Sequence, residues 1–185
     1  IIIGPVFNSS QQYLDELNET IFLSFTNKSE NSSKNIINAG INATSQLKAI
    51  KKFIELNQIK ETIFLTPDVD YRHEIEKAIF NSKIKIIKNN LYNADPTKLT
   101  SQIEEITNYE ARKKNLEDEI TRLENSDENN KEQLIKTLKK RDTLGGVKFD
   151  SLIIADFDQS LKSVTTSLLY TDISPKEKYF ITFNQ

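Results

Sequence analysis

The most constraining feature of this sequence is the alternation of short apolar runs with helix-period segments along most of its length. Ile1–Val6, Ile21–Phe25, Glu61–Thr66, Lys83–Lys88, Ser151–Ala155 and Lys178–Phe183 are strand-sized and rich in β-branched residues. Between them lie segments whose apolar residues recur at helical spacing. One runs over about Ser10–Leu17 with Tyr13, Leu14 and Leu17 on one face. Another follows Thr44-Ser45, with a core stripe of Leu47, Ile50, Phe53, Ile54 and Leu56. Arg72–Phe80, with Ile75, Ala78, Ile79 and Phe80 facing inward, a segment from about Leu99 carrying Ile103 and Ile106, and Gln159–Leu169 complete the set. Strands that are apolar on both faces, each followed by a helix, predict an α/β fold: parallel sheet covered by helices. Thr26–Ala43 has no sustained period and reads as a long polar loop, with at most a short strand at Ile36-Ile37.

One stretch breaks the rhythm. From Tyr109 to Arg141 there is no strand, and charge dominates. Tyr109, Leu116, Ile120 and Leu123, then Leu134, Ile135 and Leu138, mark two narrow apolar seams. Glu110–Lys114, Asp118–Arg122 and Glu132–Lys136 are spaced for i,i+4 pairs, and Ser126 is placed to cap the second arm. This predicts an inserted antiparallel helical hairpin. Glu110 through Arg141 holds nine basic and eight acidic residues, so the insertion is nearly neutral.

Composition removes several classes of function. The net charge of −2 offers no basic excess for phosphates, so nucleic acid is a poor partner. No apolar run approaches the ~20 residues of a membrane span. The absence of cysteine excludes thiolate chemistry and disulfides within these residues, and His73 is the only histidine. No G-x-G-x-x-G, G-K-[ST] or G-x-S-x-G pattern occurs. Thr143-Leu144-Gly145-Gly146 reads as a helix stop. No cofactor or metal is expected, and the chain reads as a non-enzymatic binding module.

In a parallel α/β sheet, ligands bind beyond the C-terminal ends of the strands. Asp68, Asp70, Asp95, Asp156 and Asp158 all follow expected strands, where Asp also serves as cap and turn former. Three polar corners stand out: Asn8-Ser9-Ser10, Thr26-Asn27-Lys28-Ser29 and Asp68-Val69-Asp70-Tyr71. Ser9, Ser10 and the amides of the helix they open can bind an anion such as a carboxylate, or can simply cap that helix. Ser9, Ser10, Thr26, Asn27, Tyr71 and Asp156 are the candidate ligand-binding residues.

Ile1 through Ser10, followed by Phe22-Leu23-Ser24-Phe25-Thr26-Asn27, resembles the I-I-G-P-x-x-S and P-x-x-S segments of type 1 periplasmic binding proteins, which include the leucine/isoleucine/valine-binding proteins. The similarity continues through Ile63–Tyr71, Tyr92–Thr97 and Phe149–Asp156. The insertion, opened by Tyr109-Glu110-Ala111-Arg112 and closed by Leu138–Gly145, resembles that of the penicillin-binding protein activators, the LpoA-like envelope lipoproteins. The resemblance implies two α/β lobes closing on a ligand, with residues 1–40 part of the first lobe and 41–185 most of the second, including the hairpin at 109–141. It implies serine and threonine holding a ligand carboxylate at Ser9, Ser10 and Thr26, and Tyr71 packing on the ligand. The expected setting is the periplasm, as an outer-membrane lipoprotein in the activator group. The expected partner is a peptidoglycan synthase; the alternative is a receptor that delivers an amino acid or similar polar solute to an ABC permease. Three β-branched residues ahead of Gly4-Pro5 read as a buried parallel strand, so further elements of the first lobe are expected outside this sequence.

Overall fold

The structure, a computed structural model, describes residues 1–6, 10–11, 14, 16–26 and 34–183. Its strands form two all-parallel sheets. In the first, β1 (Ile2–Ile3), β2 (Phe22–Ser24) and β3 (Ile36–Asn38) lie in sequence order. In the second, β4 (Thr62–Pro67), β5 (Lys88–Tyr92), β6 (Ser151–Ile154) and β7 (Tyr179–Thr182) take the order β5-β4-β6-β7. Parallel neighbours need crossovers, and helices supply them for the second sheet: α2 (Arg72–Ser82) between β4 and β5, α3 (Pro96–Thr107) between β5 and β6, and α6 (Asp158–Tyr170) between β6 and β7. α1 (Ala43–Leu56) precedes β4. The insertion is α4 (Tyr109–Glu124) and α5 (Lys131–Leu138).

The chain divides into two compact units. One comprises Ile1–Ile59, Val69–Lys85 and Phe183–Gln185; the other comprises Lys60–Asp68 and Ile86–Thr182. The second has the larger core. Ile63 and Leu65 of β4 and Leu152 and Ile154 of β6 meet Leu99 and Ile103 of α3 and Val164 and Leu168 of α6. Every residue of β4 and β6 is buried, which is why both carry runs of three consecutive large apolar residues, Ile63–Leu65 and Leu152–Ile154. Each fully buried Leu or Ile contributes about 1.5–3 kcal/mol relative to an exposed one.

Several expected boundaries move. The strand expected at Lys83–Lys88 forms instead at Lys88–Tyr92. Lys83 adopts left-handed backbone (φ 54°) to end α2, Ile84 is buried outside any strand, and the alternating Ile/Lys pattern marked the approach to the strand. Phe80 and Leu56, expected in core stripes, are exposed at 82% and 73%, each one turn or less from its helix end. Phe53 is also exposed. α1 is capped by Asn42, whose side chain accepts from Ser45 N while the Ser45 hydroxyl meets the Asn42 amide, so the cap lies two residues before Thr44. α3 begins at Pro96, three residues ahead of Leu99, because Asp95 caps it through Thr97 N and proline suits a first helical turn. The Asp95 carboxyl is held below the usual carboxylate range by the Thr97 amide and then by its hydroxyl. Ser126 does not cap α5: its hydroxyl donates to Leu123 O at the end of α4. The expected helix over Ser10–Leu17 falls partly outside the described residues; Ser10 and Gln11 form a short 3-10 turn.

Candidate functional site

Each sheet carries a polar corner just beyond its strand C-termini. In the first unit the corner is built around Ser24, the last residue of β2. Its hydroxyl donates to Pro5 O (2.9 Å) and accepts from Gln11 Nε2 (2.7 Å) and Thr26 N (3.3 Å). The same Gln11 amide nitrogen donates to Asn38 Oδ1 (2.9 Å), the last residue of β3, so one side chain joins two strand ends. Gln11 is fully buried, and its Oε1 has no hydrogen-bond partner among the described residues. Gly40 presses on this corner from the other side: a Cβ there would lie 1.9 Å from Thr26 O and 2.7 Å from Phe25 O. Only glycine permits that approach.

In the second unit the corner is Asp156, two residues past β6. Its Oδ2 accepts from the Tyr92 hydroxyl and the Ser160 hydroxyl, and its Oδ1 accepts from Phe157 N at 2.8 Å. Tyr92 ends β5 and Ser160 lies in the first turn of α6, so the carboxylate ties two strand ends and a helix start together. Asp158 opens α6 with left-handed backbone (φ 51°). Thr66 and Asn89 pair on the neighbouring strands, Thr66 Oγ1 donating to Asn89 Oδ1 at 2.7 Å. On the helical side, a shallow groove of about 320 Å³ between α3 and α6 is lined by Leu99, Thr100, Lys162, Ser163, Thr166 and Ser167.

The six candidate residues distribute as follows. Ser9 and Asn27 lie outside the described residues. Ser10 is exposed and adjoins Gln11, and Thr26 is buried with its amide on Ser24, so these two flank one network. Tyr71 is half-buried in the same unit and leads α2, its carbonyl accepting from Glu74 N and Ile75 N. Asp156 belongs to the other unit and is buried, with both oxygens engaged. Gln11, Ser24, Asn38, Gly40, Tyr92 and Ser160 were not singled out in the sequence. The one legible signal was the four-residue gap between Asp156 and Ser160, which places a hydroxyl over a residue one helical turn back. Among the remaining Asp residues, Asp68 and Asp70 are exposed. His73 is exposed and pairs with Glu76, Nδ1 to Oε2, at 3.4 Å. Among the described residues no group of three or more His, Asp or Glu side chains is arranged to hold a metal ion, and no helix is long and apolar enough to cross a membrane.

The base of the insertion holds a second buried polar centre. Arg112 donates through Nε to Gly145 O (3.1 Å), through Nη1 to Thr171 O (3.0 Å) and through Nη2 to the Thr143 hydroxyl (2.7 Å), with Asp172 Oδ2 3.8 Å from Nη2. Burial lowers its pKa, and the Asp172 carboxylate opposes that shift. Thr143 in turn donates to Asp172 Oδ2 at 2.7 Å. Thr143–Gly146 therefore forms the seat of Arg112; it does not stop α5, which ends at Leu138.

Several solved structures are similar to this one in backbone, to differing degrees. An ABC transporter substrate-binding protein from Desulfitobacterium hafniense superposes with a TM-score of 0.57 at 9% identity, over 97% of this chain and 45% of that one. An extracellular ligand-binding receptor from Verminephrobacter eiseniae gives 0.48 at 9% identity over 98% and 44%, and a periplasmic binding protein from Burkholderia mallei gives 0.46 at 9% over 96% and 40%. The chain thus spans less than half the length of each. No protein-family model and no curated protein matches the sequence. The first superposition, with the two parallel sheets and their helices, gives the chain the α/β fold of type 1 periplasmic binding proteins.

Proposed function

We propose that this chain forms part of a non-enzymatic solute-binding receptor that delivers a small polar solute, an amino acid or a molecule like it, to an ABC permease in the periplasm. The observation that carries this reading is the backbone it shares with the Desulfitobacterium substrate-binding protein. The polar strand ends agree with it. Parallel α/β sheets bind ligands beyond their strand C-termini, and hydroxyl and amide groups gather there around Ser24 and around Asp156. Ser9, Ser10, Thr26 and Asn27 serve the ligand's carboxylate in this reading, Tyr71 packs on it, and Asp156 braces the edge of the second sheet. Residues 1–40 contribute to one lobe and 41–185 to the other.

The insertion favours a second reading, a penicillin-binding protein activator of the outer membrane that contacts a peptidoglycan synthase. The arm of α4 and α5, anchored by a buried arginine, is a surface that solute binding does not call on and a protein partner could contact. A thermal-shift screen of amino acids and related solutes on the natural gene product separates the two. A bound solute at a hundred times its Kd stabilises the protein by about 2.7 kcal/mol. A saturable shift with one solute class is the expected result; no shift across the panel overturns the receptor reading and leaves the activator.

A further inference from the structure

Asparagine carries a pattern in this sequence that solute binding does not use. Five N-x-[ST] triplets, the acceptor motif for N-linked glycan, occur at Asn8, Asn18, Asn27, Asn31 and Asn42, all within the first 44 residues. The eleven asparagines from Asn57 onward carry none. The motif is short, so geometry decides which copy is usable: the acceptor amide must be exposed, unengaged and outside a helix. Asn8, Asn27 and Asn31 lie outside the described residues. Asn42 does not qualify. Its side chain caps α1 by accepting from Ser45 N at 2.9 Å, and the helix begins at the next residue, so Thr44 is already helical. Asn18 qualifies. It is exposed in a turn where Thr20 N donates to Leu17 O at 3.0 Å, and neither its amide nor the Thr20 hydroxyl has a partner among the described residues. The base of the turn is pinned by the buried Asn35, whose Nδ2 donates to Leu14 O (3.0 Å) and Leu17 O (3.2 Å). Of the five asparagines, Asn18 alone also has a carboxylate two residues ahead, Glu16, as bacterial asparagine-glycosylating enzymes require.

We propose that Asn18 is a site of N-linked glycosylation. The inference rests on the extracytoplasmic setting proposed above, and it does not depend on whether a solute binds. The donor is an oligosaccharide joined through a diphosphate to a polyprenol, and an oligosaccharyltransferase of the host carries out the transfer. Asn18 Nδ2 attacks the anomeric carbon of the first sugar. The C1–N bond forms as the C1–O bond breaks, the electron pair of that bond leaves with the polyprenyl diphosphate, and Nδ2 gives up one proton. Nothing is oxidised or reduced. Asn18 gives up no internal hydrogen bond in the exchange, so the folded protein accepts the glycan without rearrangement. Exposed polar turns are where a chain tolerates added groups best.

The natural gene product is recovered from the envelope fraction of its own host and digested, and the peptide carrying residues 16–20 is fragmented in a mass spectrometer. The expected result is a mass increase of whole sugar residues on Asn18, lost entirely in Asn18→Gln. That variant removes an exposed side chain without partners, so it folds as the parent does. Thr20→Val, which removes the hydroxyl and keeps the shape, is expected to abolish the increase, and Thr20→Ser to keep it. An unmodified Asn18 peptide in envelope material overturns the proposal and leaves the receptor reading standing. Sugar on Asn42 in place of Asn18 overturns it as well, because the capped asparagine would then be the one in use. Recovery of the protein from the cytoplasm alone overturns the extracytoplasmic setting, and the glycosylation with it.

Discussion

At the scale of single residues, the first polar corner depends on a missing side chain. Gly40 lies against the carbonyls of Phe25 and Thr26, where a methyl group would overlap Thr26 O at 1.9 Å. The obstacle is backbone, not the end of a flexible side chain, so relief requires moving the end of β2 and with it the Ser24–Gln11–Asn38 hydrogen bonds. Gly40→Ala should therefore cost at least ~3 kcal/mol, at the upper end for overpacking. A denaturant melt checks this; a loss under 1 kcal/mol would show that the approach is looser than the geometry indicates. Asp156 illustrates the opposite case. It was legible as a strand-end carboxylate, yet its two oxygens already accept three internal donors. A carboxylate so engaged holds Tyr92 and Ser160 in position.

At the scale of elements, the insertion is fastened at its root. Arg112, near the start of α4, satisfies carbonyls of Gly145 and Thr171, while its own carbonyl accepts from Leu144 N at 3.0 Å. The arm leaves and rejoins the domain through one guanidinium. Lysine cannot replace it, because an ammonium lacks the forked donors that reach three segments at once. Arg112→Met keeps the volume and strands those acceptors, and should cost about 2–4 kcal/mol. Arg112→Lys should lose nearly as much. The check is chemical denaturation of both variants, and a lysine variant as stable as the parent would reduce Arg112 to a packing residue. The same stretch shows what the sequence could and could not disclose. The two helical arms followed from apolar spacing and charge, since both are local properties. The Arg112 centre did not, because apart from Thr107 its partners lie 31 to 60 residues away, and three of those are backbone carbonyls that carry no sequence signal. The shift of β5 to Lys88–Tyr92 has a related cause: Asn89 and Asn90 are poor strand formers, and pairing with β4 overrides their preference.

At the scale of the whole molecule, the two sheets differ sharply in how they are held. β4 and β6 are buried at every residue, β4 has a strand on both sides, and α3 and α6 cover one face with Leu99, Ile103, Val164 and Leu168. β1 has two residues, both exposed, and Ile21, Phe25 and Ile37 beside or within its partner strands are exposed as well. Local opening follows the number of buried contacts that must break, so the free energy of exposure should fall steeply from the second unit to the first. In native-state hydrogen exchange of this chain, the amides of Phe64, Leu65, Ile153 and Ile154 should exchange slowest. Those of Ile2 and Gly4, although hydrogen-bonded to Ile21 O and Leu23 O of the neighbouring strand, should exchange at least about 100-fold faster, corresponding to a gap of ~2.7 kcal/mol. Uniform protection of both sheets would show that the first is held as firmly as the second despite its fewer buried residues.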